Sequence, residues 1–278
     1  MSVLPDIHET VKRALAEDIG TGDYTTQYTI PEDAVATARM VSRSSGVVAG
    51  IQVAVQVFLQ VDPSLTIDSS VVDGEYISAE DILLTVSGSA RSILTAERVA
   101  LNFVQRLSGI ATKTARLVRL VEGTKARIVD TRKTTPGLRA LEKYAVRAGG
   151  GYNHRFGLYD AIMIKDNHIA IAGGIASAVQ AAYSQAPHTM TVTVECDTLT
   201  QVRDAVEAGA DIVLLDNMSV SDLESAVDIV AGQAATEASG GVNEETVAAI
   251  AQTGVDVISV GALTHSAASL DIALDIRV

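Results

Sequence analysis

The chain has 278 residues, 47% of them hydrophobic, and its 34 acidic and 21 basic side chains leave a formal net charge of −13. That apolar content supplies the core of one large domain or two smaller ones and excludes intrinsic disorder. Aromatic residues make up only 4% and tryptophan is absent, so base stacking, and with this acidity nucleic-acid binding in general, is excluded.

In chain order, the opening MSVLPDIHET carries neither the basic nor the apolar region of a secretory leader. Residues 7–17 have the pattern of a short helix, and the turn-rich EDIGTGDYTT follows. ATARMVSRSSGVVAG alternates and then turns, LTIDSSVVDGEYIS reads as short strands around Asp73-Gly74, and ILLTVSGSA is a further strand. The longest apolar stretch, residues 47–59, is too short to span a bilayer and contains Gln52 and Gln56. This first part is α+β with antiparallel hairpins. A long helical stretch begins at Ser92, with Gly109 expected to break it.

Beyond it one unit recurs: a short β-branched run, a loop and a helix. The runs are ARIVD (126–130), AIMIK (161–165), TVTVE (191–195), DIVLLD (211–216), ATEAS (235–239) and DVISV (256–260). Strands alternating with helices pair in parallel through right-handed crossovers. The chain has no GxGxxG, which weighs against a dinucleotide-binding fold, and a β/α barrel is preferred over an open sheet. Polar residues recur at the carboxyl ends of these runs or just beyond: Asp130, Lys165, Glu195, Asp216, Ser239 and Gly261. In a barrel those ends converge on one mouth. The division expected is an N-terminal domain over 1–108 and a barrel domain over 109–265. The tail 266–278 either closes the barrel or returns to the first domain.

Charge is unevenly spread. Residues 125–165 hold nine Lys/Arg against three Asp/Glu, a local +6 in a chain whose remainder carries −19. A cationic segment in an acidic protein suits an anion pocket. Arg132, Lys133, Arg155 and Lys165 follow or end strands, where side chains are held at the mouth, and arginine forks and lysine ammonium groups bind carboxylates and phosphates. Arg139, Lys143 and Arg147, at helical spacing with Glu142, read as solvated helix surface. Glu195 and Asp216 end neighbouring strands. They suit Mg²⁺, which takes few protein ligands beside substrate phosphates, or ribose hydroxyls, or ion pairs with Lys133 and Lys165. Ser239-Gly240-Gly241, before a helix expected near Asn243, and Gly261 suit a phosphate at backbone amides. His154, beside Arg155, suits a ligand contact, and His168 a structural hydrogen bond. His8, His188 and His265 have no metal-binding spacing. Cys196 is the only cysteine, which excludes an intrachain disulfide or a Cys-rich zinc site and fits a reducing cytoplasm.

LTAERVALNFVQRLSGIAT, DTRKTTPGLRALEKYAVRAGGGYNHRFGLYDAIMIKDNH, ADIVLLDN, EASGG and GVDVISVGALTHS together resemble the quinolinate phosphoribosyltransferases, also called carboxylating nicotinate-nucleotide pyrophosphorylases. The resemblance extends over nearly the whole chain. It departs at Thr193-Val194-Glu195, where the family often has E-V-E-V, though Glu195 itself remains. The resemblance implies an N-terminal α/β sandwich domain and an incomplete, six- to seven-stranded α/β barrel. It implies Mg²⁺-dependent transfer of phosphoribosyl from 5-phosphoribosyl 1-pyrophosphate to quinolinate, giving nicotinate mononucleotide, CO₂ and pyrophosphate. It also implies a homodimer with shared active sites. By motif, Arg132, His154, Arg155 and Lys165 would surround the quinolinate carboxylates, and Arg98 would come from the partner subunit. Lys133, Glu195 and Asp216 would serve ribose, pyrophosphate and metal, and Ser239, Gly240 and Gly261 the 5′-phosphate. Two rivals are a barrel aldolase with Lys165 as Schiff-base amine and a non-enzymatic oxyanion binder, such as the related proteins linked to molybdenum uptake.

Overall fold

The computed structural model describes residues 7–277; residues 1–6, part of the segment read for a leader, and Val278 lie outside it. It divides into two compact units. The first takes the described parts of Met1–Ala115, Thr134–Gly150 and Ser266–Val278, and the second takes Arg116–Lys133 and Gly151–His265.

The first unit opens with helices α1 (His8–Ile19) and α2 (Tyr24–Thr29), then β1 (Val35–Ser42), β2 (Gly46–Val47) and α3 (Ile51–Val61). Next come β3 (Thr66–Ser69), β4 (Tyr76–Ile77), β5 (Ile82–Ser89) and α4 (Ala90–Leu120), whose last turn belongs to the second unit. Period-two alternation buries Ala36, Ala38 and Met40 of β1 on one face, as a half-covered strand requires. α3 buries Val53, Ala54, Val57 and Phe58 at helical spacing. The tail returns as β12 (Ile272–Arg277), antiparallel to β1, and the antiparallel sheet has the order β12-β1-β5-β3. The alternative left open by the sequence is thereby decided for the first unit.

Three local expectations fail here. The turn-rich stretch contains α2, because the Asp23 carboxylate accepts the Thr26 amide at 3.0 Å and caps a helical turn. α4 runs unbroken through Gly109. That glycine serves close packing: a Cβ there would lie 2.0 Å from the Ala268 carbonyl oxygen. The charged face expected on α5 (Arg139–Ala148) is not all surface, since Glu142 is fully buried and Lys143 nearly so. Glu142 is buried because Arg106 on α4 donates to its Oε1 at 2.8 and 3.2 Å, the Thr135 hydroxyl to Oε1 at 2.8 Å and the Thr135 amide to Oε2 at 3.0 Å. A carboxylate with four donors tolerates burial.

The second unit carries β6 (Arg127–Val129), β7 (Ile162–Ile164), α6 (Asp166–Ala172), α7 (Ile175–Gln185), β8 (Val192–Cys196) and α8 (Leu199–Glu207). It continues with β9 (Ile212–Asp216), α9 (Val220–Val230), β10 (Ala235–Ser239), α10 (Val247–Gln252), β11 (Val257–Ser259) and α11 (Ala262–His265). All six strands are the runs read from the sequence. They form one parallel sheet in the order β6-β11-β10-β9-β8-β7. Among the described residues β6 and β7 share no ladder, so the expected incomplete barrel is six-stranded and open there. α10 begins at Val247 rather than near Asn243, whose side chain instead accepts the Glu245 and Thr246 amides in a turn. No helix among the described residues is long and apolar enough to cross a membrane.

Candidate active site

A cavity of about 250 Å³ opens at the carboxyl ends of the parallel strands. Its walls include Arg132, Lys133, His154, Arg155, Lys165, Glu195, Asp216 and Ser239, residues singled out in the sequence. Thr131, Met163, Leu214, Glu237 and Ser259 complete the lining. The strand register explains why these side chains meet. Glu195 on β8 is level with Leu214 on β9, and Leu214 with Glu237 on β10. Two residues further on, Asp216 is level with Ser239, and Ser239 with Ser259 on β11. Side chains two apart share a face, so these are two stacked tiers of one cavity wall.

The cationic side is held by its loops. Asp130, fully buried after β6, accepts the Asn153 side-chain amide at 2.6 Å and the His154 main-chain amide at 2.9 Å. It pins the 153–155 loop rather than joining the cavity wall. The Asp160 carboxylate accepts the Phe156 and Gly157 amides at 2.6 and 2.8 Å, closing the far end of that loop. Arg155 is steadied by a 3.1 Å bond from Nη1 to the Ala161 carbonyl. Burial first, and then the neighbouring Arg132, push the Arg155 guanidinium below its ordinary value, against the pull of Asp160. Two arginines close enough to repel one another favour an anion between them. The Lys133 carbonyl accepts the Thr264 hydroxyl at 2.6 Å, and a Cβ on Gly261 would lie 3.0 Å from Lys133 Cδ.

The acidic side is partly committed. The Lys165 ammonium contacts the Glu195 carboxylate. One Asp216 oxygen accepts the Asn217 side-chain amide at 2.7 Å. Gly240 does not line the cavity; its φ is +92°, and a Cβ there would fall 2.1 Å from Asn217 Oδ1, so only glycine permits this turn. Arg98 stands exposed on α4 in the other unit and is not part of this lining. His168 accepts the Lys165 amide at 3.0 Å through Nδ1, a structural role. Cys196 is fully buried, and burial above all, then Asp197, Asp204 and Glu195, push its thiol up to about 12, which removes it as a nucleophile.

The sequence matches two family models: quinolinate phosphoribosyl transferase, N-terminal domain, over residues 23–108, and the C-terminal domain of the same enzyme over residues 110–275. The chain belongs to the quinolinate phosphoribosyltransferase family. It is 47% identical over 277 residues to the nicotinate-nucleotide pyrophosphorylase [carboxylating] of Mycobacterium leprae, covering 96% of both chains. The probable enzyme of that name in Bacillus subtilis is 46% identical over 260 residues, 94% of this chain and 90% of the other. The crystal structure of NadC from Streptococcus pyogenes superposes with a TM-score of 0.96 at 42% identity, covering 100% of this chain and 99% of that one.

Among the described residues no three His, Cys, Asp or Glu side chains gather into a metal cage. Mg²⁺ does not require one, since it uses one or two carboxylates beside substrate phosphates and water. Glu195 and Asp216, on adjacent strands of one cavity wall, meet that requirement for a quinolinate phosphoribosyltransferase. Sequence reasoning missed Glu237 and Ser259, although both lie on strands it identified.

Proposed function

We propose that this chain transfers phosphoribosyl from 5-phosphoribosyl 1-pyrophosphate to quinolinate with loss of CO₂, forming nicotinate mononucleotide and pyrophosphate in NAD biosynthesis. The observation that carries this reading is the single cavity joining Arg132, Lys133, Arg155 and Lys165 to Glu195 and Asp216. Quinolinate is a dianion and its co-substrate is more anionic still. Arg132, Arg155 and Lys165 take the two ring carboxylates and aim the pyridine nitrogen at the ribose. That nitrogen is the nucleophile, so no serine or cysteine is needed.

As the bond to pyrophosphate breaks, positive charge grows on the ribose, and the carboxylates of Asp216 and Glu195 stabilise it. Lys133 draws off charge on the leaving side. Mg²⁺, held by Glu195 and Asp216 with the substrate phosphates, would supply Lewis-acid stabilisation of the departing pyrophosphate. N-ribosylation makes the ring nitrogen cationic. The C2–carboxylate bond then breaks with its electron pair left on C2, which takes a proton, and CO₂ departs. Ser239, with the turns at Gly240 and Gly261, holds the 5′-phosphate.

The same reading takes the enzyme as a cytoplasmic homodimer in which Arg98 of one subunit completes the site of the other. The aldolase alternative is disfavoured because Lys165 is ion-paired with Glu195, whereas a Schiff-base amine needs a desolvated or cationic setting. A coupled assay of CO₂ release tests the reaction. Release is expected only with both substrates and Mg²⁺, and release without either substrate overturns the assignment. Mixing Arg98→Ala and Lys165→Ala chains tests sharing. Partial recovery is expected from the mixed dimer, and proven heterodimers without recovery refute a shared site.

A further inference from the structure

Glu237 is the least comfortable charge in the cavity wall. Its side chain is 3% exposed, and its Oε2 lies 3.3 Å from Nε2 of His154. Its Oε1 is buried and has no hydrogen-bond partner among the described residues. Native interiors seldom leave a carboxylate oxygen in that state, and where they do a functional reason is to be sought. The strand register sets this carboxylate level with Leu214, in the lower tier of the wall, beneath Ser239.

The partner of Glu237 is itself constrained. His154 Nδ1 accepts the Arg155 main-chain amide at 2.7 Å. A ring nitrogen that accepts carries no proton, so the proton of the neutral imidazole sits on Nε2, the nitrogen 3.3 Å from Glu237 Oε2. A chain of contacts therefore runs from a buried carboxylate, through an imidazole of defined tautomer, to the backbone of a cavity arginine. The His154 main-chain amide, anchored on Asp130, fixes the other side of the same loop.

We propose that Glu237 is a positioning residue for quinolinate: it holds His154 in the Nε2–H form and, through Nδ1, fixes the backbone from which Arg155 meets a substrate carboxylate. The inference rests on the proposed function for the identity of the ligand. It explains why a carboxylate persists at the floor of an anion site, where its charge opposes the ligand and one of its oxygens is unsatisfied. A side chain kept only for packing would be apolar here, since methionine has similar length and carries no carboxylate oxygen to leave unsatisfied.

The test compares Glu237→Met and Glu237→Gln in the full chain. Expected for Glu237→Met is a melting temperature equal to or above that of the parent, because the orphan oxygen is gone. Nitrogen NMR of His154 should change from the single Nε2–H tautomer to a mixture. The dissociation constant for quinolinate alone, by calorimetry, should weaken by on the order of tenfold, the scale on which partners of ligand-binding side chains act. KM for the phosphoribosyl donor should stay within about twofold, since the chain of contacts ends at Arg155. Glu237→Gln keeps an acceptor and should retain the tautomer and most of the affinity. Unchanged His154 resonances with unchanged quinolinate binding in Glu237→Met overturn the proposal, as does a lowered melting temperature with the tautomer intact. The melting and NMR readings need no substrate, so they judge the positioning role even if the assay of CO₂ release were to refute the reaction.

Discussion

The parallel sheet carries carboxylates at both ends, and the two sets are treated differently. At the amino ends, Asp211 accepts the Val192 amide of the neighbouring strand at 2.7 Å. Asp256 accepts the Thr236 amide and hydroxyl, both at 2.8 Å, and its other oxygen takes Lys125 Nζ at 2.7 Å. These groups stitch one strand to the next. In the cavity wall at the carboxyl ends, Glu195 is balanced by a lysine, Asp216 gives one oxygen to Asn217, and Glu237 leaves one oxygen without a hydrogen-bond partner among the described residues. The carboxylates of the cavity wall thus differ from those at the amino ends in how fully neighbouring groups satisfy them.

That contrast breaks first under loss of a cavity cation. If the proposed reaction is right, Arg132→Ala or Lys165→Ala should lower kcat/KM by about 100-fold or more while the melting temperature changes little, because each removes a cation of the cavity lining rather than a group that joins strands. Steady-state kinetics beside thermal unfolding checks both halves, and near-parental kcat/KM in either variant removes the role assigned to it.

The reverse pattern is expected at the other end. Asp256→Ala should cost about 1 kcal/mol, discounted for its partial exposure, and leave kcat/KM of the folded enzyme unchanged. Burial alone would raise the Asp256 carboxyl, but Lys125 and the two Thr236 bonds outweigh it and hold the group below its ordinary 3.8. A depressed carboxyl stabilises the fold above its unfolded value and loses that contribution as pH falls through the folded value. The stability gap between parent and variant, from denaturant unfolding, should therefore be full near neutrality and shrink below about pH 4.

The smallest effect sharpens the rule. Thr198 also follows a strand's carboxyl end, yet its hydroxyl accepts the Gln201 amide at 3.3 Å while Gln201 Oε1 accepts the Thr198 amide at 3.0 Å. This closed pair caps α8. Thr198→Ala should cost about 0.5–1 kcal/mol in chemical denaturation without altering turnover, which would show that position at the mouth does not by itself confer function.

The strands and most of the cavity were legible because both follow from short-range pattern. β-branched runs mark the strands, and the residue ending each run lands at the mouth. Glu237 carried a readable signal as well, since it lies two residues before Ser239 and so on the same face. Ser259 could have been found the same way within DVISV. The rest needed contacts that no local pattern encodes. The burial of Glu142 depends on Arg106 in a distant helix, and the continuity of α4 through Gly109 depends on the backbone at Ala268. The orphan oxygen of Glu237 and the tautomer of His154 are properties of three-dimensional packing alone.

The pairing of β12 with β1 bears on how the protein is made. Register joins Ser42 to Ile272, so β1 gains this neighbour only after the intervening residues 43–271 have left the ribosome. Closing so long a span is entropically slow and leaves the flank of β1 unpaired in the meantime. Nascent chains truncated before residue 272 should therefore expose a sticky strand edge, making strand β12 a checkpoint for solubility during synthesis.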